Sequence, residues 1–179
     1  AKKLKMISIW ATTCHYADLE ATKERGIVVT HVPSYATEAV AEHTFALLFA
    51  AIRRLPLADR HVRRGNFDWR LFGGVELQGK TLGIIGTGSI GCRVAEIAKA
   101  FKMQILGYDK YPNLKKAEEI GVRYVDLHTL LKESDVMTLH VTLTSETERL
   151  LGIKEIEIMK KGAVLINTSQ GKVIDEKAL

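Results

Sequence analysis

Short apolar runs alternate with amphipathic segments over the second half of the chain. Apolar runs rich in Ile, Val and Leu predict strands at 81–85, 103–108, 122–125, 136–141 and 163–167. Apolar positions at helical spacing predict helices at 89–101, 114–120 and 127–132, with turns and short helices at 145–159. Buried strands separated by helices indicate a parallel sheet covered on both faces. The predicted fold class is therefore α/β, with a doubly wound parallel sheet.

The first half of the chain has a different pattern. Strands are predicted at 6–9 and 27–30, and Gly26 ends a helix at 18–25 between them, which makes one small βαβ unit. A long helix follows at 40–55. Because its apolar face is wider than a helix lying on one sheet needs, we expect it to pack between domains or between subunits.

A glycine-rich turn lies between the strand at 81–85 and the helix after it. Its G-x-G-x-x-G pattern is formed by Gly86, Thr87, Gly88, Ser89, Ile90 and Gly91. The three glycines permit a tight turn, close approach of a pyrophosphate to the backbone, and close packing of helix on strand. The N–H groups and dipole at the start of the helix attract phosphate. This context predicts a dinucleotide-binding site.

An acidic residue ends the next predicted strand. Asp109 lies eighteen residues beyond Gly91, where a carboxylate accepts hydrogen bonds from the adenosine ribose hydroxyls. Standing alone it would be an ordinary residue at a strand end. Beside the glycine turn, Asp109 predicts a Rossmann-type domain. Because a carboxylate repels a 2′-phosphate, this domain is expected to prefer NAD to NADP, although the positive charge of the neighbouring Lys110 softens that discrimination.

Composition and charge exclude several classes of protein. Cys14 and Cys92 have no metal-site spacing and form no disulfide framework, so we predict no metal site and a reducing, cytoplasmic location. No segment reads as a signal peptide or a membrane span. The net charge of +5 includes a basic cluster at 53–64, which could be a nucleic-acid-binding patch. We interpret it instead as the polar side of a helix, because no aromatic residues interleave with the basic ones to stack on bases.

Several blocks of sequence together resemble the D-isomer-specific 2-hydroxy-acid dehydrogenase family, and the match covers nearly the whole chain. The blocks are 18–20, 26–30, 40–44, 77–86, 108–109, 139–141 and 162–168. The resemblance implies that 1–77 is part of a smaller, flavodoxin-like α/β substrate domain with a connecting helix. It also implies that 78–179 is a C-terminally incomplete NAD-binding domain, and that the full-length protein is a homodimer acting on a small 2-hydroxy or 2-keto acid.

The resemblance also assigns residues to the cofactor and the substrate. Besides the glycine turn and Asp109, the cofactor set comprises His140, Val141, Thr142, Asn167 and Thr168. In the family an Arg grips the substrate carboxylate, and this chain has Gln170 at that position, without the charge and fork geometry of Arg. The family's Glu and Pro-His are expected past Leu179, so we expect this fragment alone to be inactive. Thr13 stands where the family has a glycine near the substrate.

Three interpretations stay open at this level. The first is a fragment of an NAD-dependent D-2-hydroxyacid dehydrogenase. The second is a sensor or regulatory protein that binds NAD on the same scaffold without turnover, which the replacement of Arg by Gln170 motivates. The third is an incomplete sheet that folds but binds nothing.

Overall fold

The smaller of two structural units, residues 1–38, contains a two-stranded parallel sheet. The computed structural model describes residues 3–14 and 16–179. Strands β1 (Met6–Ile9) and β2 (Val28–His31) are joined by helix α1 (Leu19–Glu24). Asp18 caps this helix by accepting a hydrogen bond from the Ala21 N–H at 2.9 Å. The predicted βαβ unit is confirmed, with small shifts at the element ends.

A five-stranded parallel sheet forms the centre of the larger unit, residues 39–179. Its strands are β3 (Thr81–Ile85), β4 (Gln104–Tyr108), β5 (Arg123–Tyr124), β6 (Val136–Leu139) and β7 (Val164–Asn167). They lie in the order β5-β4-β3-β6-β7, so the chain reverses its direction of travel across the sheet between β3 and β6. That reversal leaves a crevice at the carboxyl ends of the strands, where ligands bind in such folds. The predicted Rossmann-type sheet is confirmed.

Helices cover both faces of this sheet and divide its core into two clusters. The helices of this unit are α2 (Thr37–Ile52), whose first two residues precede the unit, α3 (Leu55–Arg63), α4 (Ser89–Ala100), α5 (Leu114–Ile120), α6 (Leu127–Glu133) and α7 (Ile153–Ile158). One cluster joins α2 and α4 to the sheet, and the other joins α6 and the segment around Leu151 to the opposite face. No helix in the described part of the chain is long and apolar enough to cross a bilayer.

Helix α2 packs on the five-stranded sheet. Ala41, Phe45, Leu48 and Ile52 lie in one cluster with buried residues of β3. The buried side is therefore accounted for within one unit, whereas we expected an interface between domains or subunits. Leu47 on the other side is 37% exposed, and whether that side meets a second subunit stays a prediction.

The end of α2 also differs from the prediction. The helix stops at Ile52 rather than at residue 55, because Arg54 adopts a left-handed backbone conformation (φ 51°) and Pro56 stands in the first turn of α3. Proline fits the first turn of a helix, where its missing N–H costs nothing. Along the chain the two structural units divide between residues 38 and 39, whereas the predicted domain boundary at residue 77 stays a proposal about function.

Candidate functional site

The turn between β3 and α4 needs glycine for two separate reasons. Gly86 has φ +92°, and a Cβ there would lie 2.8 Å from the backbone carbonyl of His140. A Cβ at Gly91 would collide with the carbonyl oxygen of Gly86. The turn therefore runs against β6 on one side and its own helix on the other, and both positions exclude larger residues.

The N-terminus of α4 presents backbone N–H groups at this turn. Gly88 is the N-cap of this 12-residue helix, and as a glycine it has no side chain to accept from the first N–H groups of the helix. Gly88 is exposed, and the space around its would-be Cβ is open. The first N–H groups of a helix have no partners within the helix, and together with the helix dipole they suit an anionic phosphate. The arrangement of the turn fits the pyrophosphate of a dinucleotide.

Asp109 is held in place at the end of β4 by three hydrogen bonds. Its carboxylate accepts from the backbone N–H of Thr87 at 2.6 Å, from the Thr87 hydroxyl at 3.0 Å and from the Tyr111 N–H at 2.8 Å. The Thr87 hydroxyl also hydrogen-bonds to the Tyr124 hydroxyl at 2.7 Å. Residues of β5, the glycine turn and the loop after β4 thus orient one carboxylate beside the turn.

A cavity of about 450 Å³ lies at the carboxyl edge of the sheet. Six residues predicted for the cofactor line it: Gly86, Gly88, Asp109, His140, Val141 and Thr142. Lys110, which we expected to soften the preference for NAD, also lines the cavity. The other lining residues were not predicted, and they are Tyr108, Tyr111, Thr144, Glu146, Thr147 and Leu150. Most of these lie in the loop after β6. This loop could have been predicted from its place in the fold, because it follows the carboxyl end of β6, next to the point where the strand order reverses.

An ion pair connects the two rims of this cavity. The Lys110 Nζ lies 2.6 and 2.7 Å from the two carboxylate oxygens of Glu146. The hydrogen bond to Glu146 raises the pKa of Lys110 above its usual value. Thr147 keeps the loop of Glu146 in shape, because its hydroxyl donates to the Thr142 carbonyl at 2.6 Å and accepts from the Thr144 N–H at 2.8 Å.

His140 lines the cavity with a half-buried side chain. Its Nδ1 lies 3.4 Å from the Thr168 hydroxyl, which in turn hydrogen-bonds to the Thr44 hydroxyl at 3.1 Å. Its Nε2 is buried without a hydrogen-bond partner. Burial lowers the pKa of His140 to about 4, so the ring carries no charge at neutral pH.

The segment after β7 is shaped by Asn167. Its side-chain oxygen accepts from the backbone N–H and hydroxyl of Ser169 at 2.9 and 2.8 Å, and its amide donates to the Gln170 carbonyl at 3.1 Å. Gln170 is half-buried and precedes a 3₁₀ helix (Gly171–Val173). Neither of these residues nor Thr168 lines the cavity.

The other residues selected from the sequence occupy different surroundings. Thr87 is buried beneath the turn, while Ser89 and Ile90 form the first turn of α4 and do not line the cavity. Cys92 is a packing residue, since its thiol is buried and donates to the Thr87 carbonyl at 3.0 Å, and burial raises its pKa. Thr13 belongs to the smaller unit.

Comparison with known proteins places this geometry among dehydrogenases. Residues 45–179 match the family described as D-isomer specific 2-hydroxyacid dehydrogenase, NAD binding domain. Glyoxylate reductase of Thermococcus litoralis is 47% identical over 186 residues, which cover all of this chain and 56% of that protein.

Two solved structures share the fold and contain bound cofactor. D-lactate dehydrogenase of Aquifex aeolicus, complexed with NAD and lactic acid, gives a TM-score of 0.91 at 43% identity and covers 98% of this chain and 53% of its own. An acyclic imino acid reductase in complex with NADPH and D-Arg gives a TM-score of 0.89 at 40% identity, covering 98% of this chain and 56% of its own. The chain spans about half the length of these relatives.

Proposed function

Because the chain belongs to the D-isomer specific 2-hydroxyacid dehydrogenase family, we propose that the protein transfers a hydride between NAD and a small D-2-hydroxy or 2-keto acid. The observation that carries this proposal is that the glycine turn and the Asp109 carboxylate line one cavity. NAD, when bound, supplies the hydride chemistry. The chain's own residues bind and orient it.

The proposed roles of the cofactor residues follow from their chemistry. The backbone N–H groups at the start of α4, from Gly88 onwards, hold the pyrophosphate, and Asp109 accepts hydrogen bonds from the ribose hydroxyls. Gly86 donates its own N–H to the Tyr108 carbonyl at 2.9 Å, and its role is to let the pyrophosphate approach the turn closely. Val141 and Thr142 line the cavity beside them. Because Asp109 is negatively charged, we propose that NAD is preferred over NADP. Asn167 and Thr168 support the site from the end of β7, with Thr168 acting through His140.

Gln170 stands at the position where the family has the Arg that binds the substrate carboxylate, and it determines how fast we expect the enzyme to be. An amide accepts or donates a hydrogen bond to a substrate carboxylate but cannot pair with it bidentately as a guanidinium does. Losing such a charged contact costs on the order of 2 to 4 kcal/mol in the transition state. We therefore propose a slow enzyme whose general acid and supporting carboxylate belong to a part of the protein outside this chain.

The proposal includes a domain arrangement and a partner. Residues 1–77 contribute to a substrate domain with a connecting helix, and 78–179 bind the cofactor. A homodimer is supported by apolar side chains at least half exposed on and after α3: Leu55, Leu57, Val62, Phe67, Trp69 and Leu71. Exposed apolar surface of this kind marks interaction sites. Free Cys14 and Cys92 accord with the proposed cytoplasmic location.

The test is NADH oxidation by the full-length protein with a panel of small 2-keto acids. We expect measurable turnover in the natural protein and a gain of about 30-fold or more in kcat/KM for Gln170→Arg. This gain corresponds to about 2 kcal/mol, the lower end of the free energy that the charged contact contributes in the transition state. Gln78→Arg is the matched control, since it adds the same charge in the exposed segment before β3. Turnover unchanged by Gln170→Arg would contradict the assigned role of this position.

The second candidate, an NAD sensor without turnover, is favoured by the same Gln170. A sensor stays inactive with every keto acid but binds NADH tightly before and after the Gln170→Arg change. Calorimetric titration with NADH separates this outcome from the third interpretation, because a sheet that binds nothing gives no saturable heat.

A further inference from the structure

The ion pair across the cavity carries an inference about cofactor selectivity. We propose that Glu146 enforces preference for NAD by holding Lys110 in a salt bridge, away from the place that a 2′-phosphate would occupy. This inference rests on the cofactor role of the cavity. It concerns which nicotinamide dinucleotide is accepted and does not depend on the substrate or on turnover.

Lys110 is placed where it decides between the two cofactors. It follows Asp109 directly at the carboxyl end of β4, and both residues line the cavity. In this type of fold the carboxylate binds the ribose hydroxyls, whereas a basic side chain nearby accommodates a 2′-phosphate. The fold itself accepts either cofactor, since similar structures are solved with NAD and with NADPH. Local side chains at this rim must therefore make the distinction.

Glu146 occupies the donor groups that a phosphate would need. Both of its oxygens lie within 2.7 Å of the Lys110 Nζ, so the ammonium is engaged by two acceptors at once. Together, Asp109, Lys110 and Glu146 leave one net negative charge at the rim. Removing the charge of Glu146 makes the sum of these three charges zero and leaves the Lys110 ammonium without its ion pair. Both changes favour the binding of a 2′-phosphate.

The loop that carries Glu146 does not depend on its carboxylate. The Thr147 hydroxyl contacts the Thr142 carbonyl and the Thr144 N–H, and the Glu146 backbone N–H donates to the Thr144 hydroxyl at 3.3 Å. The Lys110 and Glu146 side chains are 57% and 64% exposed, and exposed ion pairs contribute little to stability. Glu146→Gln should therefore change charge without unfolding the loop.

The experiment measures dissociation constants for NADH and NADPH in four forms of the protein. These are the natural protein, Glu146→Gln, the double variant Lys110→Gln with Glu146→Gln, and the control Glu148→Gln, which removes the same charge from an exposed position two residues away. Fluorescence of the bound nicotinamide provides the readout. It requires no substrate.

We expect Glu146→Gln to shift the ratio of the two constants towards NADPH by about tenfold, or about 1.4 kcal/mol. The shift should be less than about twofold in Glu148→Gln and should disappear in the double variant. Equal changes for both cofactors, or a shift that persists without Lys110, would overturn the proposal. If the natural protein binds neither cofactor, the cavity assignment itself fails. Binding of NADH without turnover leaves this inference intact but refutes the proposed dehydrogenase activity.

Discussion

Acid should destabilise the larger unit through His140 before the carboxylates protonate. Burial lowers the pKa of this side chain from its ordinary 6.5 to about 4. As the pH falls below about 6.5, the unfolded chain therefore takes up a proton that the folded chain refuses. The stability associated with the neutral ring is fully present above about pH 6.5 and is lost as the pH falls towards 4.

The magnitude follows from the gap between the two pKa values. At about 1.4 kcal/mol for each pH unit, the interval from 6.5 to about 4 corresponds to a loss of about 3 kcal/mol. A loss of that size is a large fraction of the stability of an ordinary domain.

Denaturant unfolding at about pH 7 and about pH 4.5 measures the loss. His140→Asn should remove most of the decline, whereas His128→Asn, at an exposed position on α6, should retain it. Asp135, a carboxylate with a lowered pKa that neither histidine influences, contributes equally to both variants and cancels in the comparison. An NMR titration that places the pKa of His140 at its ordinary value would refute the reasoning.

Three further outcomes are expected from the fold. Gly91→Ala should abolish NADH binding and lower the melting temperature, because its Cβ meets the Gly86 carbonyl, and thermal unfolding with and without NADH measures both effects. Leu48→Ala should cost about 2 to 5 kcal/mol in denaturant unfolding, while Leu47→Ala, at a partly exposed neighbour on the same helix, should cost much less. The 179-residue chain produced alone should self-associate through the edge strand β7, and light scattering showing only monomer would contradict this.

Local patterns were sufficient to predict the sheet and the glycine turn. The central strands β3 and β6 are buried on both faces, so each reads as a nearly continuous apolar run. Gly86 and Gly91 are required by backbone contacts that recur wherever this turn packs against its helix. Asp109 could be selected because its distance from the turn is fixed by one helix and one strand. These features depend on neighbours close in sequence.

The features that were not predicted depend on contacts between distant segments. Lys110 could be selected because it follows Asp109, but Glu146 lies 36 residues further on and reads as an ordinary surface charge, so the ion pair between them was not predicted. The width of the apolar face of α2 indicated burial but not the surface that buries it. Phe45 and Leu48 pack on the five-stranded sheet, which is therefore the surface that buries this face. The spacing of apolar residues in the sequence does not predict which surface that is.

The packing of α2 bears on how this protein could be recombined with its relatives. A chimera joined at residue 78 would separate the sheet from Ala41, Phe45, Leu48 and Ile52, which complete its core. A graft that starts at residue 39 would carry them along. The transferable module is thus longer than the nucleotide-binding motif suggests, because a module's limits are set by the side chains its interior requires.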